Sequence, residues 1–343
     1  MNVLSLFDGI SCGMLALDKL GINIDNYFAS EIDENAIKIS KANYSNIKHI
    51  GDITKITKND IKNMPKIDLV LAGSPCQGFS NNGKGLNFKD PRSKLFFDFV
   101  NILEWVREVN NKDVKFLLEN VKMKKEWENI ISQYVKVNPI EINSKLLTAQ
   151  NRPRLYWTNI NGVSIPKDAG IKLIDMLDRN VEFDYIEYEG LRICKSISEN
   201  SIKLISKVEN EVRIKQAVKQ GYIVANEGDG INLSFPCSTS RRGRVIKEKS
   251  NCLDTSCNIC VYINKSIRRF TISEMEKLQG LPVGYTNYVL DRHRVKAIGN
   301  GWTIDVIEHI LKGLMAKEKE LINIEFAKVK LEGNYVEQLK WII

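Results

Sequence analysis

A cysteine lies in the turn Gly73-Ser74-Pro75-Cys76-Gln77-Gly78-Phe79-Ser80, directly after the apolar run Leu69-Val70-Leu71-Ala72. A strand that ends in such a turn presents its last side chains at the mouth of a sheet, where a thiolate can attack a substrate. Most single cysteines are inert core residues; the Pro-Cys-Gln turn at a strand end argues against that role for Cys76. Further along, the apolar run Phe116-Leu117-Leu118 ends in Glu119-Asn120-Val121. A nucleophile and a carboxylic acid at the ends of neighbouring strands suit covalent attack on an unreactive pyrimidine ring, with Glu119 donating a proton to a ring nitrogen. A third element, Gln150-Asn151-Arg152-Pro153-Arg154, leads into Leu155-Tyr156-Trp157. Two arginines two apart on an extended segment share a face, where guanidinium groups can hold a base oxygen or a flanking phosphate.

A second constellation precedes these. Phe7-Asp8-Gly9-Ile10-Ser11-Cys12-Gly13 follows one strand and opens a helix, a place where backbone can approach a ligand closely. The next strand ends in Ser30-Glu31-Ile32-Asp33, where Glu31 suits a ribose diol and Ile32 could cover an adenine face. Gly51-Asp52-Ile53 follows the third strand, and Asp52 could accept from an adenine amino group. Together these favour an adenosyl ligand. The spacing Gly9-x-x-x-Gly13 departs from the dinucleotide fingerprint G-x-G-x-x-G.

The elements that must position these groups alternate, as in a parallel sheet wrapped by helices. Strands are predicted at Asn2-Phe7, Asn26-Ser30, Ile47-Ile50, Asp68-Ala72, Val114-Glu119, Pro139-Leu146 and Arg154-Asn159, and helices at Gly13-Leu20, Glu34-Ala42 and Leu95-Val109. From about Val163 to Lys265 the pattern is shorter and more polar, with a helix predicted over 198–218 and a basic loop at Ser238-Arg244. Regular helical patterns return at Thr271-Gln279 and Ile304-Met315.

The 343 residues, 43% hydrophobic and 27% charged, have room for one large and one smaller domain, and no run is long and apolar enough to span a membrane. Seven cysteines without an export signal point to reduced thiols and a cytoplasmic setting. Cys252, Cys257 and Cys260, with Cys237 nearby, could hold zinc, but their irregular spacing favours small reduced side chains and no metal. The net charge is +8, and between Ser240 and Arg269 eight basic residues face two acidic ones, the footprint of a nucleic-acid partner.

Taken in order, Phe7-Gly13, Gly73-Ser80, Glu119-Val121, Gln150-Arg154, Arg268-Pro282 and Gly299-Trp302 resemble the cytosine-C5 DNA methyltransferase family, in its bacterial and phage form. The first turn is similar to that of the mammalian de novo enzymes. The resemblance implies an α/β fold with a Rossmann-like, mixed seven-stranded sheet and an inserted, smaller target-recognition domain. It divides the chain into a catalytic domain of residues 1–162 plus 285–320, a recognition domain of residues 163–284 and an extension at 321–343. It implies S-adenosyl-L-methionine as cofactor and S-adenosyl-L-homocysteine as product. Phe7, Asp8, Gly9, Ile10, Gly13, Glu31, Ile32, Asp52, Ile53, Pro75 and Leu95 would line the pocket, with Asn300 and Trp302 completing it. It also implies catalysis by Cys76 and Glu119, with Arg152 on the base side, Arg154 positioning it, and both keeping Cys76 a thiolate. Double-stranded DNA is the implied partner, read by Arg241, Arg242 and Arg244, with Ser80 and Asn82 in a loop that closes over an extruded base. A monomer is expected, with any restriction endonuclease acting separately.

Three rivals fit less well. An RNA cytosine methyltransferase of this fold would carry a Cys-Phe-Thr element, which is missing here. A non-catalytic paralogue would lack the nucleophile or the acid. An NAD-dependent oxidoreductase leaves the glycine spacing and the Pro-Cys-Gln turn unexplained.

Overall fold

The computed structural model describes residues 1–75, 94–178, 181–240, 242–255 and 258–315. Cys76, Ser80, Asn82, Arg241, Cys257 and the 321–343 extension therefore lie outside the described residues.

The first half of the chain runs β1 (Asn2–Leu6), α1 (Cys12–Lys19), β2 (Asn26–Ser30), α2 (Glu34–Asn43), β3 (Lys48–His49), α3 (Lys58–Asn63) and β4 (Leu69–Gly73). It continues as α4 (Lys94–Val109), β5 (Lys115–Val121), α5 (Lys125–Val135), β6 (Ile140–Asn143) and β7 (Pro153–Thr158). The seven strands form one sheet in the order β3-β2-β1-β4-β5-β7-β6. β1 to β5 pair in parallel and β7 is antiparallel to both β5 and β6, which makes the sheet mixed. Chain order reverses between β1 and β4, and ligands bind beyond the carboxyl ends of strands at such a switch point.

Successive strand residues go to opposite faces. Val3, Leu69, Leu71 and Leu117 join the core beside α1, whereas Leu4, Leu6, Val70, Ala72, Phe116 and Leu118 pack with Ile61, Phe96, Phe99 and Ile131 on the other side. Burial on both faces is why these strands read as unbroken apolar runs.

The next stretch contains β8 (Tyr185–Tyr188), β9 (Leu191–Cys194), α6 (Glu199–Ile202), β10 (Ile205–Val208), β11 (Glu211–Lys215) and β12 (Tyr222–Ala225). It then adds β13 (Gly230–Phe235), β14 (Arg242–Ile246), β15 (Ile259–Ile263) and β16 (Ser266–Arg269). They make a three-stranded sheet, β10-β11-β12, and a six-stranded sheet, β14-β13-β15-β16-β9-β8. The helix predicted over 198–218 is instead the single turn α6 followed by the β10–β11 hairpin, with Ile205 opposite Ile214. Ile205, Val212 and Ile214 are buried with Leu191 and Ile231, and Glu209 takes the left-handed turn at φ 53°. Pairing with β12 overrides the weak local preference.

α7 (Ile272–Leu278), α8 (Asp291–Asn300) and α9 (Ile304–Leu311) return to the large sheet, where α9 packs on α1. The segment between β14 and β15 is laced to the segment before β7. Ser250 N donates to Ala149 O at 2.6 Å, Asn151 N to Ser250 O at 2.9 Å, and Lys249 Nζ to the carbonyls of Lys145 and Thr148, and also to that of Ile171 beyond β7. Among the described residues no helix is long and apolar enough to cross a membrane.

Candidate active site

At the end of β1, Phe7 and Ser11 adopt left-handed backbone, with φ of 58° and 60°. Each such non-glycine residue costs on the order of 1 kcal/mol or more and persists only where its surroundings enforce it. The enforcement comes from two carboxylates. Glu31, just past β2, accepts Gly9 N on Oε2 and both Ile32 N and Asp33 N on Oε1, each at 2.8 Å. Asp8, only 8% exposed, accepts Tyr27 OH at 2.8 Å and Ser11 Oγ at 2.5 Å. Burial pushes the Asp8 carboxyl up to about 6, against the opposing effect of those hydrogen bonds.

Three residues expected to touch a cofactor therefore have other partners. The Asp8 side chain is committed beneath the turn. Ile10 is buried in the core, and its carbonyl accepts Tyr285 OH at 2.8 Å. Gly13 falls within α1, where a Cβ would come within 2.5 Å of Leu71 Cδ1; the missing side chain lets the helix lie close on β4. All three still border the cavity.

That cavity has a volume of about 400 Å³, within the range of small-molecule sites. Phe7, Glu31, Ile32, Asp52, Ile53, Pro75 and Leu95 line it, as expected from the sequence, and Asn300 and Trp302 reach it from the end of α8. Ile32 is 72% exposed, an apolar surface free to cover a flat ring. Asp52 caps the following turn by accepting Thr54 N at 2.9 Å on Oδ1. The sequence reading misses His293 and Lys296, which also line the cavity; Lys296 Nζ pairs with Asp33 Oδ2 at 2.6 Å. Nothing local in the charged α8 sequence marks them.

The other end of the cavity is built around Glu119. It lies within β5 opposite Gly73 of β4, two residues before the strand stops rather than at its end. Its Oε1 pairs with Arg154 Nε at 2.9 Å, and its Oε2 accepts Trp302 Nε1 at 3.2 Å. A Cβ on Gly73 would come within 2.8 Å of Trp302 Nε1, so glycine is what admits the indole. Asn120, buried beside Glu119, donates to Ser74 Oγ at 3.0 Å and ties the turn that leads into Pro75 and Cys76.

The two arginines differ. Arg154 meets Glu119, and its guanidinium stays above its ordinary value: burial acts to lower it, but the neighbouring Cys252 and Glu119 outweigh that. Arg152, expected on the base side, is 5% exposed and braces the scaffold. Its Nη1 donates to Leu253 O at 3.1 Å and faces Cys252 Sγ at 3.3 Å; its Nη2 donates to Gly299 O and Gly301 O, each at 3.0 Å. Both terminal nitrogens are thus committed within the protein.

Gln150 and Gln279 extend this brace. Gln150 Oε1 accepts Leu253 N at 2.9 Å, its Nε2 donates to Gln279 Oε1 at 3.0 Å, and Gln279 Nε2 donates to Ile298 O at 2.7 Å. Arg268 and Glu274 form a buried bidentate pair. Of the basic loop, Arg244 is exposed on β14 and Arg242 is half-buried. The cysteines do not share one environment: Cys260 is buried, Cys237 is exposed and Cys252 faces the arginines.

The C-5 cytosine-specific DNA methylase family model matches residues 1–316. The Type II methyltransferase M.HpaII of Haemophilus parainfluenzae is 30% identical over 337 residues, covering 92% of this chain and 89% of the relative. The Type II methyltransferase M1.ScrFI of Lactococcus lactis subsp. cremoris is 28% identical over 331 residues, covering 92% and 78%. Among solved structures, the Entamoeba histolytica methyltransferase EhMeth superposes with a TM-score of 0.66 at 18% identity, covering 92% of this chain and 98% of that one. The Schizosaccharomyces pombe Dnmt2 methyltransferase does so with a TM-score of 0.59 at 17% identity, covering 92% and 99%. The fold is that of the methyltransferases. The chain belongs to the C-5 cytosine-specific DNA methylase family and is a DNA cytosine methyltransferase.

Proposed function

We propose that this enzyme uses S-adenosyl-L-methionine to methylate carbon 5 of a flipped-out cytosine in a short duplex DNA motif, through a covalent adduct with Cys76. The observation that carries the reading is the Glu119 carboxylate, held by Arg154 and Trp302 at one end of the cavity, beside the turn that leads into Cys76. The lining of the cavity suits the cofactor: Glu31 and Asp52 offer carboxylates for a ribose diol and an adenine amino group, and Ile32 offers an apolar face. When bound, S-adenosyl-L-methionine supplies the methyl group and leaves as S-adenosyl-L-homocysteine.

The protein's part follows from the chemistry of the ring. Cys76 thiolate adds to carbon 6, so that a sulfur–carbon bond forms and the electron pair of the 5,6 double bond becomes available at carbon 5. Glu119 holds or delivers a proton at ring nitrogen 3 and prevents charge from accumulating there. Arg154, bonded to the same carboxylate, fixes its orientation. After methylation the proton on carbon 5 departs to water or hydroxide, the double bond re-forms and the thiolate is expelled. The base must leave the duplex first, at a cost of a few kcal/mol.

In this reading residues 1–162 plus 285–320 are the catalytic domain and 163–284 the recognition domain. Arg241, Arg242 and Arg244 contact DNA, together with Ser80 and Asn82. Similarity to Type II methyltransferases supports a role in a restriction-modification system, with shielding of phage DNA as the related alternative. The test is bisulfite sequencing of a mixed-sequence duplex after incubation with cofactor, run beside Cys76→Ala. Methylcytosine at one motif with the wild type, and none with a variant that still binds S-adenosyl-L-homocysteine, is the expected result. No methylation from folded, cofactor-binding wild type would overturn the DNA reading and direct attention to RNA.

A further inference from the structure

Both oxygens of Glu119 are held, and both holds lead to one sulfur. On one side Arg154 Nε meets Oε1 at 2.9 Å, and the same guanidinium's Nη2 lies 3.8 Å from Cys252 Sγ. On the other, Trp302 Nε1 meets Oε2 at 3.2 Å; Trp302 follows Gly301, whose carbonyl accepts Arg152 Nη2 at 3.0 Å. Arg152 Nη1 lies 3.3 Å from Cys252 Sγ, which closes the ring. Glu119, Arg152, Arg154 and Trp302 belong to the large-sheet scaffold. Cys252 arrives on the strap between β14 and β15, the strap that Ser250 and Leu253 bond to the segment before β7.

We infer that Cys252 is a positioning residue for the Glu119–Arg154 pair, coupling the small sheets to the catalytic carboxylate. The inference rests on the catalytic reading of Glu119 given above. Two guanidinium groups aimed at one point repel, and a sulfur carrying negative charge between them offsets that repulsion. The charged groups facing the sulfur are Arg152 and Arg154, with Glu119 beyond Arg154. Burial alone would push the thiol up, but the charges and hydrogen bonds of the two arginines hold it below its ordinary value. Serine at this position still accepts a hydrogen bond but does not ionise; alanine does neither.

Two measurements decide the matter. Cys252→Ala is expected to lower kcat about tenfold, the equivalent of one lost charge-assisted hydrogen bond, with KM for DNA and affinity for S-adenosyl-L-homocysteine nearly unchanged. Cys252→Ser recovers most of the rate at low pH, and the wild type pulls ahead of it as pH rises and the thiolate forms. The second measurement keeps residue 252 intact: alkylation by iodoacetamide, mapped by mass spectrometry in Cys76→Ala protein. Cys252 is expected to react at lower pH than the exposed Cys237, and that difference is expected to shrink when Arg154→Ala is added. Wild-type kcat in Cys252→Ala, or the same alkylation profile at Cys252 and Cys237, overturns the inference. A wild type that fails to methylate DNA overturns the functional reading instead, and the alkylation profile still decides the ring.

Discussion

The two ends of the cavity, proposed above to take the adenosyl group and the target base, are built in different ways. At the adenosyl end, neighbours in sequence hold one another: Glu31 accepts the amides of Ile32 and Asp33 as well as that of Gly9, all within two consecutive strand-to-helix turns. At the reacting end, Glu119 is held by Arg154 and Trp302, the preceding turn by Asn120, and Trp302 in turn by Arg152 through Gly301. The first end is a local arrangement and the second is assembled from remote segments. A local arrangement survives small shifts between parts of the fold. An assembled one transmits them, which suits a site that must respond to the seating of DNA.

The contrast is tested most severely at Glu119. Glu119→Gln keeps an oxygen for Arg154 but turns an amide donor towards Trp302 Nε1 and removes the acid. The expected outcome is a fall in kcat of about 10³-fold, within the range for loss of a general acid. Affinity for S-adenosyl-L-homocysteine, measured by calorimetry, is expected to change by less than about threefold, because none of the adenosyl-end contacts involves Glu119. A parallel collapse of cofactor affinity would show that the two ends are one unit.

The same contrast decides what was legible in the sequence. Strands of the large sheet were read within a few residues, because burial on both faces leaves unbroken apolar runs such as Leu69-Val70-Leu71-Ala72. Glu31, Ile32 and Asp52 were found because each sits just past a strand end, a position the chain announces. Arg152 and Arg154 were located but their protein partners were not foreseen, since two residues of one type on one face look alike until their surroundings are known. Cys252 was read only as part of a loose cysteine cluster, and Lys296 not at all, because their partners lie far away in sequence. The small sheets were least legible: over 198–218 the apolar spacing also fits a helix, and only pairing across β10, β11 and β12 selects the hairpin.

Asp8 offers a test of the local end through stability. Its carboxyl is raised to about 6 from an ordinary value of 3.8, so the folded state binds a proton that the unfolded chain releases between those values. Stability from this group is therefore fully present below about pH 4, declines as pH rises, and is lost above about pH 6. Two units correspond to about 3 kcal/mol. Asp33, held low by Lys296 and by backbone amides despite its partial burial, has the opposite slope and loses stability as pH falls. Urea unfolding of wild type and Asp8→Asn across pH 4 to 7 isolates the contribution: the difference between them is expected to change by up to about 3 kcal/mol over that window. A constant difference would mean that Asp8 keeps an ordinary value beneath the turn.

The smallest expected effect separates the two tasks of Glu31. As a brace it uses both oxygens, Oε2 for Gly9 and Oε1 for Ile32 and Asp33, so Glu31→Gln keeps the carbonyl acceptor for Ile32 and Asp33 and loses the one for Gly9. As a ligand for a diol it needs a charged oxygen with capacity to spare, which glutamine lacks. Charge-assisted hydrogen bonds exceed neutral ones by about 1 kcal/mol, so Glu31→Gln is expected to weaken S-adenosyl-L-homocysteine binding by about fivefold to tenfold, with kcat at saturating cofactor close to wild type. Glu31→Ala removes both tasks and is expected to weaken binding further and to lower the unfolding midpoint as well. If glutamine leaves affinity untouched while alanine abolishes it, Glu31 serves only to shape the turn. The adenosyl end would then owe its affinity to backbone and apolar contacts, and the difference between the two ends of the cavity would be one of chemistry as well as of assembly.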